Sequence, residues 1–434
     1  MWWLALLPGN FTIDSVDVVR QIQSGTWNDW HTNAYTTYAW LASFGGRAWS
    51  FITFSQVVLM AIGIASLGNA LHRVVRSPTT VMIASAIFAS LPQVGSFTVT
   101  MWKDVPSAAG EFMMAAALIE SRFTNSRRTY LLAASGALLI AAFRWNGPVA
   151  LTLLCVVLAV LGRPRNLRMV AVLALVTVFG AASLMLPQQL KVSEATSWFN
   201  FEVRELHDLA YAYRSRPEIF DTEDLALLES VMPLSEWRTG GSSCEGVEVL
   251  QYKSFSRFAP ESFDTAKQRR GELSSLWRRT LVRAPVEVAT VRLCRAGGVL
   301  SPIFFGQQPT LGLWNIGSTE PELVRAGYFP TVAAVLTTLV GVTDSSELSK
   351  SIFLNAMLWT ILVSIVARIN EKWSGVIWTC LPVGLCVMMS VALGANAHDA
   401  RYVAGALLVP QYLLLISGVV WLSTFRRDPL TERA

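Results

Sequence analysis

Charge is what this sequence has least of. Only 15% of its 434 residues are Asp, Glu, Lys or Arg, and 53% are hydrophobic, whereas a soluble protein of this length carries about 25% charged residues. A soluble globular chain is therefore excluded. Histidine and cysteine are scarce as well, with four and five residues, and no Cys/His spacing of the zinc type occurs. No metal ligand set and no cofactor are expected. The net charge is only +5, and the basic residues sit beside apolar runs rather than on a basic face interleaved with aromatics. That excludes a nucleic-acid surface. Internal repeats and low-complexity segments are also missing.

What is present is a series of apolar runs, several of them near the roughly 20 residues that cross a bilayer. They fall at 1–8 (a stub), 49–69, 79–95, 105–120, 130–144, 147–162, 169–186, 351–369, 376–395 and 402–423. The expectation is an all-α polytopic membrane protein of about ten transmembrane helices with a mainly helical extracytoplasmic domain. Its parts are an N-terminal transmembrane module at 1–186 whose first outer loop is 8–48, an outer domain at 187–350, and C-terminal transmembrane helices at 351–434. The stub WWLALL at 2–7 is too short to span and has no basic flank, so it reads as the end of a first span rather than a signal peptide.

The loops divide by charge. Arg73 and Arg76, Arg122, Arg127 and Arg128, Arg163, Arg165 and Arg168, and Arg426 and Arg427 make one set of loops simply basic. Positive charge stays on the cytoplasmic side during insertion, so these loops mark the inside. The run 329–342 would reverse every later loop if it spanned, so it is expected as a helix on, or dipping into, the outer leaflet. Cys155, Cys380 and Cys386 fall in spans, while Cys244 and Cys294 fall in the outer segment. An oxidising outer compartment permits a Cys244–Cys294 disulfide, and two separate thiols are the alternative.

The alternating loops carry acids, bases, His and Trp together. Asp14 follows the turn Pro8–Gly9–Asn10, and from about Asp14 to Ser24 the spacing of Ile13, Val16, Val19 and Ile22 predicts a helix. Asp14 and Asp17 lie close together at its start, where each is either a cap suited to the helix dipole or a carboxylate able to take a proton from a hydroxyl. Asp29, Trp30 and His31 follow. Trp102, Lys103 and Asp104 share a short loop: Trp102 suits the membrane interface, and Lys103 is a compact cation suited to a phosphate at headgroup depth. Arg144 and Asn146 sit in a tight hairpin, and His398, Asp399, Arg401 and Tyr402 precede the last span. One face thus gathers acids, three short-loop cations and several Trp, which suits a phosphate-linked lipid donor meeting a hydroxyl acceptor. A lipid phosphate leaves as a stable anion, so one carboxylate base and a cationic clamp suffice; soluble glycoside hydrolysis needs two flanking carboxylates.

In this order of loops the chain resembles the membrane-embedded glycosyltransferases of the GT-C fold, which include protein O-mannosyltransferases and arabinofuranosyltransferases. It is more narrowly similar to bacterial membrane proteins with PG…D, DWH and WKD loops. The resemblance implies a glycosyltransferase in the bacterial plasma membrane, multi-pass, with its site facing outside. Such an enzyme moves a hexosyl or pentosyl group with inversion from a polyprenyl-phosphate sugar to a cell-envelope glycan, lipid or protein. By position the catalytic carboxylate falls on Asp14, with Asp17 as substitute if the register differs. Substrate contacts fall on Asp29, His31, Trp102, Lys103, Asp104, Arg144, Asn146, His398, Asp399, Arg401 and Tyr402. The chain departs from the O-mannosyltransferases in having Asp14–Ser15 where they have two adjacent acids, which leaves sugar and acceptor open. A transporter or flippase of a lipid-linked substrate is the alternative. It would concentrate ionisable groups at mid-membrane, where only Glu111 stands. A scaffolding protein is a third reading, and it would leave Asp14 and Lys103 replaceable.

Overall fold

The computed structural model describes residues 1–27, 31–161, 164–189, 197–242, 247, 250, 260–296, 323, 328–343, 345–394 and 400–425. Asp29, His398 and Asp399, all expected substrate contacts, lie outside these residues, as do Trp30 and Cys244. The described residues are all-helical as expected, apart from one isolated bridge. Contacts divide the chain into two units. The first comprises Met1–Ser193, Ser301–Val391 and Asp399–Ala434, and the second Glu194–Leu300 with Ala392–His398.

The first unit opens with α1 (Trp2–Ala5), α2 (Ile13–Ser24) and α3 (Asn33–Ala42). Apolar helices follow: α4 (Ser50–Val75), α5 (Pro78–Ser90), α6 (Pro92–Val99), α7 (Asp104–Phe123), α8 (Arg127–Phe143), α9 (Gly147–Val160) and α10 (Pro164–Gln189). Their starts are set by local chemistry. Ser77 and Ser126 each accept a backbone N–H at the head of the helix that follows, and Pro78 occupies a first-turn position where no N–H is needed. The expected single span at 79–95 is instead two helices bent by 67°. Pro92 supplies no N–H and pushes Leu91 into an extended conformation, so the helix stops and restarts.

Helix α7 is the centre of this unit, buried at every residue from Asp104 to Glu120. It packs closely on α8 because glycines meet: a Cβ on Gly110 would fall 2.6 Å from the Gly136 carbonyl oxygen, and one on Gly136 2.7 Å from that of Gly110. Small residues permit such an approach between helices where apolar surroundings give no hydrophobic drive to associate. Glu111 is buried in the same helix against Gly405, where an added Cβ would come 2.2 Å from the Glu111 carboxyl carbon.

The second unit is built from amphipathic rather than uniformly apolar helices: α11 (Ser197–Ser215), α12 (Thr222–Val231), α13 (Leu234–Gly240), α14 (Pro260–Gln268), α15 (Arg270–Arg283) and α16 (Pro285–Arg295). A capping box starts α12, with Asp224 N–H donating to Asp221 Oδ1 at 2.8 Å and Asp221 N–H to Asp224 Oδ2 at 3.4 Å. Trp237 is fully buried in the core and donates to the Leu228 carbonyl at 2.9 Å. Cys294 takes part in a disulfide. Two buried acids each hold a pair of arginines: Asp208 holds Arg292 at 2.7 Å and Arg295 at 2.8 Å, and Asp224 holds Arg279 at 2.6 Å and Arg283 at 2.9 Å. Asp208→Asn leaves two guanidinium groups against a neutral amide, and removing one partner of a buried ion pair costs about 3–5 kcal/mol. The expected outcome is that the second unit of the full-length variant becomes sensitive to protease at lower urea than wild type. Unchanged resistance would contradict it.

The first unit then resumes with α17 (Pro330–Thr343), α18 (Glu347–Leu354), α19 (Ala356–Ile369), α20 (Glu371–Gly394) and α21 (Ala404–Phe425). The helix expected at 329–342 is α17, and its Leu336 and Val340 pack with Trp2, Ala5, Leu6 and Val99. The expected span at 351–369 is interrupted at Asn355, whose side chain accepts from Leu358 N–H at 2.9 Å and starts a new helix. Among the described residues α4, Glu371–Leu393 and Arg401–Trp421 are long and apolar enough to cross a membrane, and the bent pair α5–α6 adds a fourth if counted as one span. Shorter apolar helices lie at Gly147–Val160, Leu167–Ser183, Pro330–Thr343 and Ala356–Ile369. By length and composition these are the helices of a membrane protein.

Candidate active site

The site is assembled where two loops, about ninety residues apart in sequence, are stitched together. Asn10 and Thr100 form a parallel bridge. Asn10 N–H donates to the Val99 carbonyl at 2.9 Å, and Met101 N–H to the Asn10 carbonyl at 2.9 Å. Asn10 Nδ2 adds a bond to Thr100 Oγ1 at 2.9 Å. Gly9 makes the approach possible with φ +132°, where a Cβ would fall 2.4 Å from Thr53 Cγ2. Ser15 Oγ then donates to the Met101 carbonyl at 2.8 Å, and Trp102 Nε1 to Thr12 Oγ1 at 3.0 Å. Gln56 Nε2 holds the Trp102 carbonyl from α4 at 2.5 Å. These bonds fix the start of α2 beside Lys103.

The N-cap of α2 is Thr12, not Asp14. Thr12 N–H donates to Ser15 Oγ at 2.9 Å while the Thr12 side chain faces the Ser15 backbone N–H, the reciprocal arrangement of a capping box. Asp14 is thereby released from the capping role and its side chain goes elsewhere. Arg401 Nη1 donates to Asp14 Oδ2 at 2.6 Å. The Arg401 guanidinium lies over the rings of Trp102 and Tyr402, each 5.3 Å from its carbon. Arg144 covers the same Tyr402 ring at 5.2 Å, donates to the Tyr402 carbonyl, and brings Nε to 3.3 Å from Asp104 Oδ1. Asp104 opens α7, Arg144 follows the last residue of α8, and Arg401 and Tyr402 lie in a 3-10 turn before α21. Three helix ends meet here, so the charges collect at one end of the bundle.

Two Asp–Arg pairs therefore stand side by side and differ in exposure. Asp104 and Arg144 are sealed, at 2% and 8%, whereas Asp14 and Arg401 are open, at 31% and 18%. The third cation is tied differently: Lys103 Nζ lies 3.3 Å from His31 Nδ1. An ammonium has no acceptor, so Nδ1 receives the bond. The neutral ring then carries its proton on Nε2, which faces Asp17 Oδ2 at 3.7 Å. Asp17 also accepts from Gln21 Nε2 at 2.8 Å. Asn146 turns away to α20, donating to Ser390 Oγ at 2.8 Å. The structure thus brings together Asp14, Asp17, His31, Trp102, Lys103, Asp104, Arg144, Arg401 and Tyr402, and it directs Asn146 into the helix packing.

Electrostatics follows from these contacts. Burial raises the Asp14 pKa, but Arg401, with His31 and Lys103, outweighs it and holds the group at about 2. Burial and then the Lys103 ammonium lower His31 to about 3. Lys103 is lowered too, by burial first, with Asp104 and Asp14 opposing. Tyr35, one turn behind His31 with ring centroids 6.4 Å apart, is raised well above its usual value by burial, then by Tyr38, Asp104 and Asp14. Tyr35, Thr12 and Gln56 were not foreseen; the one available signal was the four-residue step from His31 to Tyr35. Among the described residues no group of three or more His, Cys, Asp and Glu is placed to hold a metal ion.

A pH effect on stability follows. Between about pH 6.5, the ordinary value for His, and about pH 3 the unfolded chain takes up a proton that buried His31 refuses, so stability falls as pH drops through this window. Asp14 acts in the same direction between 3.8 and about 2. Acidification from pH 7 to 5 is expected to lower the melting temperature of the wild type more than that of His31→Asn. Equal slopes would show that His31 is not held neutral.

No protein-family model matches this chain, and no curated protein matches it. Among solved structures, the crystal structure of ArnT from Cupriavidus metallidurans bound to undecaprenyl phosphate matches over 96% of this chain and 75% of that chain, at 12% sequence identity and a TM-score of 0.38. A likeness of that degree assigns no residue and no activity to this chain.

Proposed function

We propose that this chain is a membrane glycosyltransferase. It moves a sugar, with inversion, from a polyprenyl-phosphate donor to a hydroxyl acceptor on the extracytoplasmic face, with Asp14 as general base. The observation that carries this reading is the gathering of Asp14, Lys103 and Arg401 with Trp102 and Tyr402 at one end of an apolar helix bundle. In the reaction, Asp14 Oδ accepts the proton of the acceptor hydroxyl while that oxygen attacks the sugar's anomeric carbon. The bond from that carbon to the phosphate oxygen breaks, and the lipid phosphate departs with the electron pair. The leaving anion needs positive charge rather than a proton.

The three cations divide the labour. Arg144 is committed to Asp104 and the Tyr402 carbonyl inside the protein, so it holds the site's frame. Lys103 rests against a neutral imidazole, so it meets an incoming phosphate without first giving up a carboxylate. Asp17, with His31 and Gln21 around it, is the less suited base. The test is sugar transfer by purified protein in lipid nanodiscs, offered a panel of polyprenyl-phosphate sugars and a cell-envelope acceptor extract. Transfer from at least one donor is the expected result. Absence of both transfer and donor binding across the panel would return the lipid-substrate transporter to first place.

A further inference from the structure

We infer that the lipid donor's phosphate competes with Asp14 for Arg401, so that donor binding itself unmasks the base. The inference rests on the glycosyltransferase reading and concerns how that site is regulated.

Three observations carry it. The first is the charge balance. Among the described residues Asp14, Asp17 and Asp104 stand with Lys103, Arg144 and Arg401, with His31 neutral, so these cations have acids beside them before any anion arrives. An added phosphate brings a further anion to compete for the same cations.

The second is which partner can be given up. The Asp104–Arg144 pair is sealed from solvent, and separating it would strand two charges in the interior, at a penalty of several kcal/mol for each ion. The Asp14–Arg401 pair is the open one. Asp14 there is the more exposed of the two acids.

The third is how Arg401 is held. Its guanidinium lies over Trp102 and Tyr402 at 5.3 Å from each ring. These rings hold the cation by its faces, so its acceptors are met along its N–H edge. A planar guanidinium can take a phosphate in two parallel bonds, and its Nη1, which holds Asp14 Oδ2 at 2.6 Å, is one of the groups such a phosphate would claim.

In the resting site, then, Arg401 holds Asp14 as a weak base. When the donor's phosphate settles between Lys103 and Arg401, the Arg401 N–H groups turn to phosphate oxygens. Asp14 keeps its negative charge, loses its cation, and becomes able to accept a proton from the acceptor hydroxyl. Activation follows the donor, so water and stray hydroxyls meet a quiescent carboxylate while the site is empty.

The experiment is a double-mutant cycle on binding alone, with no sugar and no turnover. Undecaprenyl phosphate is titrated into wild type, Asp14→Asn, Arg401→Gln and the double variant in nanodiscs, with melting temperatures recorded for each. Competition predicts about tenfold tighter binding for Asp14→Asn than for wild type. It also predicts weaker binding for Arg401→Gln, and less than a threefold effect of Asp14→Asn once Arg401 is Gln. The same gain in both backgrounds would reduce the effect to charge repulsion through space and overturn the inference. No gain in either background would overturn it as well. Binding of the lipid phosphate by wild type without the predicted pattern sinks only the competition; failure of wild type to bind it at all removes the donor-phosphate reading beneath it.

Discussion

Asp14→Asn is expected to reduce sugar transfer by about 10³-fold, within the 10²–10⁴ that general-base catalysis contributes, in protein that folds and melts like the wild type. The substitution is close to silent structurally. Thr12 and Ser15 cap α2 without help from Asp14, and an Asn side-chain oxygen still accepts a bond from Arg401. What disappears is the ability to take a proton. Steady-state kinetics in nanodiscs checks this: the turnover number collapses while the donor's KM holds or falls, because Arg401 is no longer shared with a carboxylate. Equal transfer by Asp14→Asn and wild type would move the base, with Asp17 next in line. A loss accompanied by a lower melting temperature would make Asp14 a structural residue.

Arg144→Met carries the largest expected effect on stability. It leaves the Asp104 carboxylate, only 2% exposed, facing Arg144's former place without a cation. An uncompensated buried charge of this kind costs about 3–5 kcal/mol. The loss reaches further than one pair, since Arg144 also holds the Tyr402 carbonyl and covers the Tyr402 ring, and so fixes the turn that presents Arg401. Thermal unfolding in detergent reads the loss directly. Asp104→Leu combined with Arg144→Met removes both desolvation penalties together, so the double variant is expected to recover stability relative to Arg144→Met while remaining poor in transfer. A double variant no more stable than the single one would place the cost in the Tyr402 contacts rather than in the stranded acid.

Scarcity made much of this site readable before any fold was known. In a chain so poor in charge, ionisable residues in short loops stand out, and the alternation of loops placed Asp14, Lys103, Arg144 and Arg401 on one face. The roles they divide among themselves were not readable. Whether Asp104 pairs with Lys103 beside it or with Arg144 forty residues on depends on which cation the helix ends bring within reach. Asn146 shares a tight hairpin with Arg144, yet its amide turns to Ser390, because a turn's spacing does not say where each side chain points. The cap of α2 was hidden for a different reason: Ser15 takes the place where Glu or Gln usually marks a capping box. The broken span at Leu91 carried its own sign in Pro92, whose steric demand on the preceding residue outweighed the hydrophobic run around it.

The Asp14–Arg401 contact joins residues 387 positions apart, which gives the chain a clock. Ribosomes deliver Asp14 before Lys103, and Arg401 arrives only with the helix that follows it. While those intervening residues are made, the loop has its acid without its guanidinium. The Asp14–Arg401 pair is therefore completed only when Arg401 arrives, and a chain halted short of it leaves the carboxylate waiting for its partner.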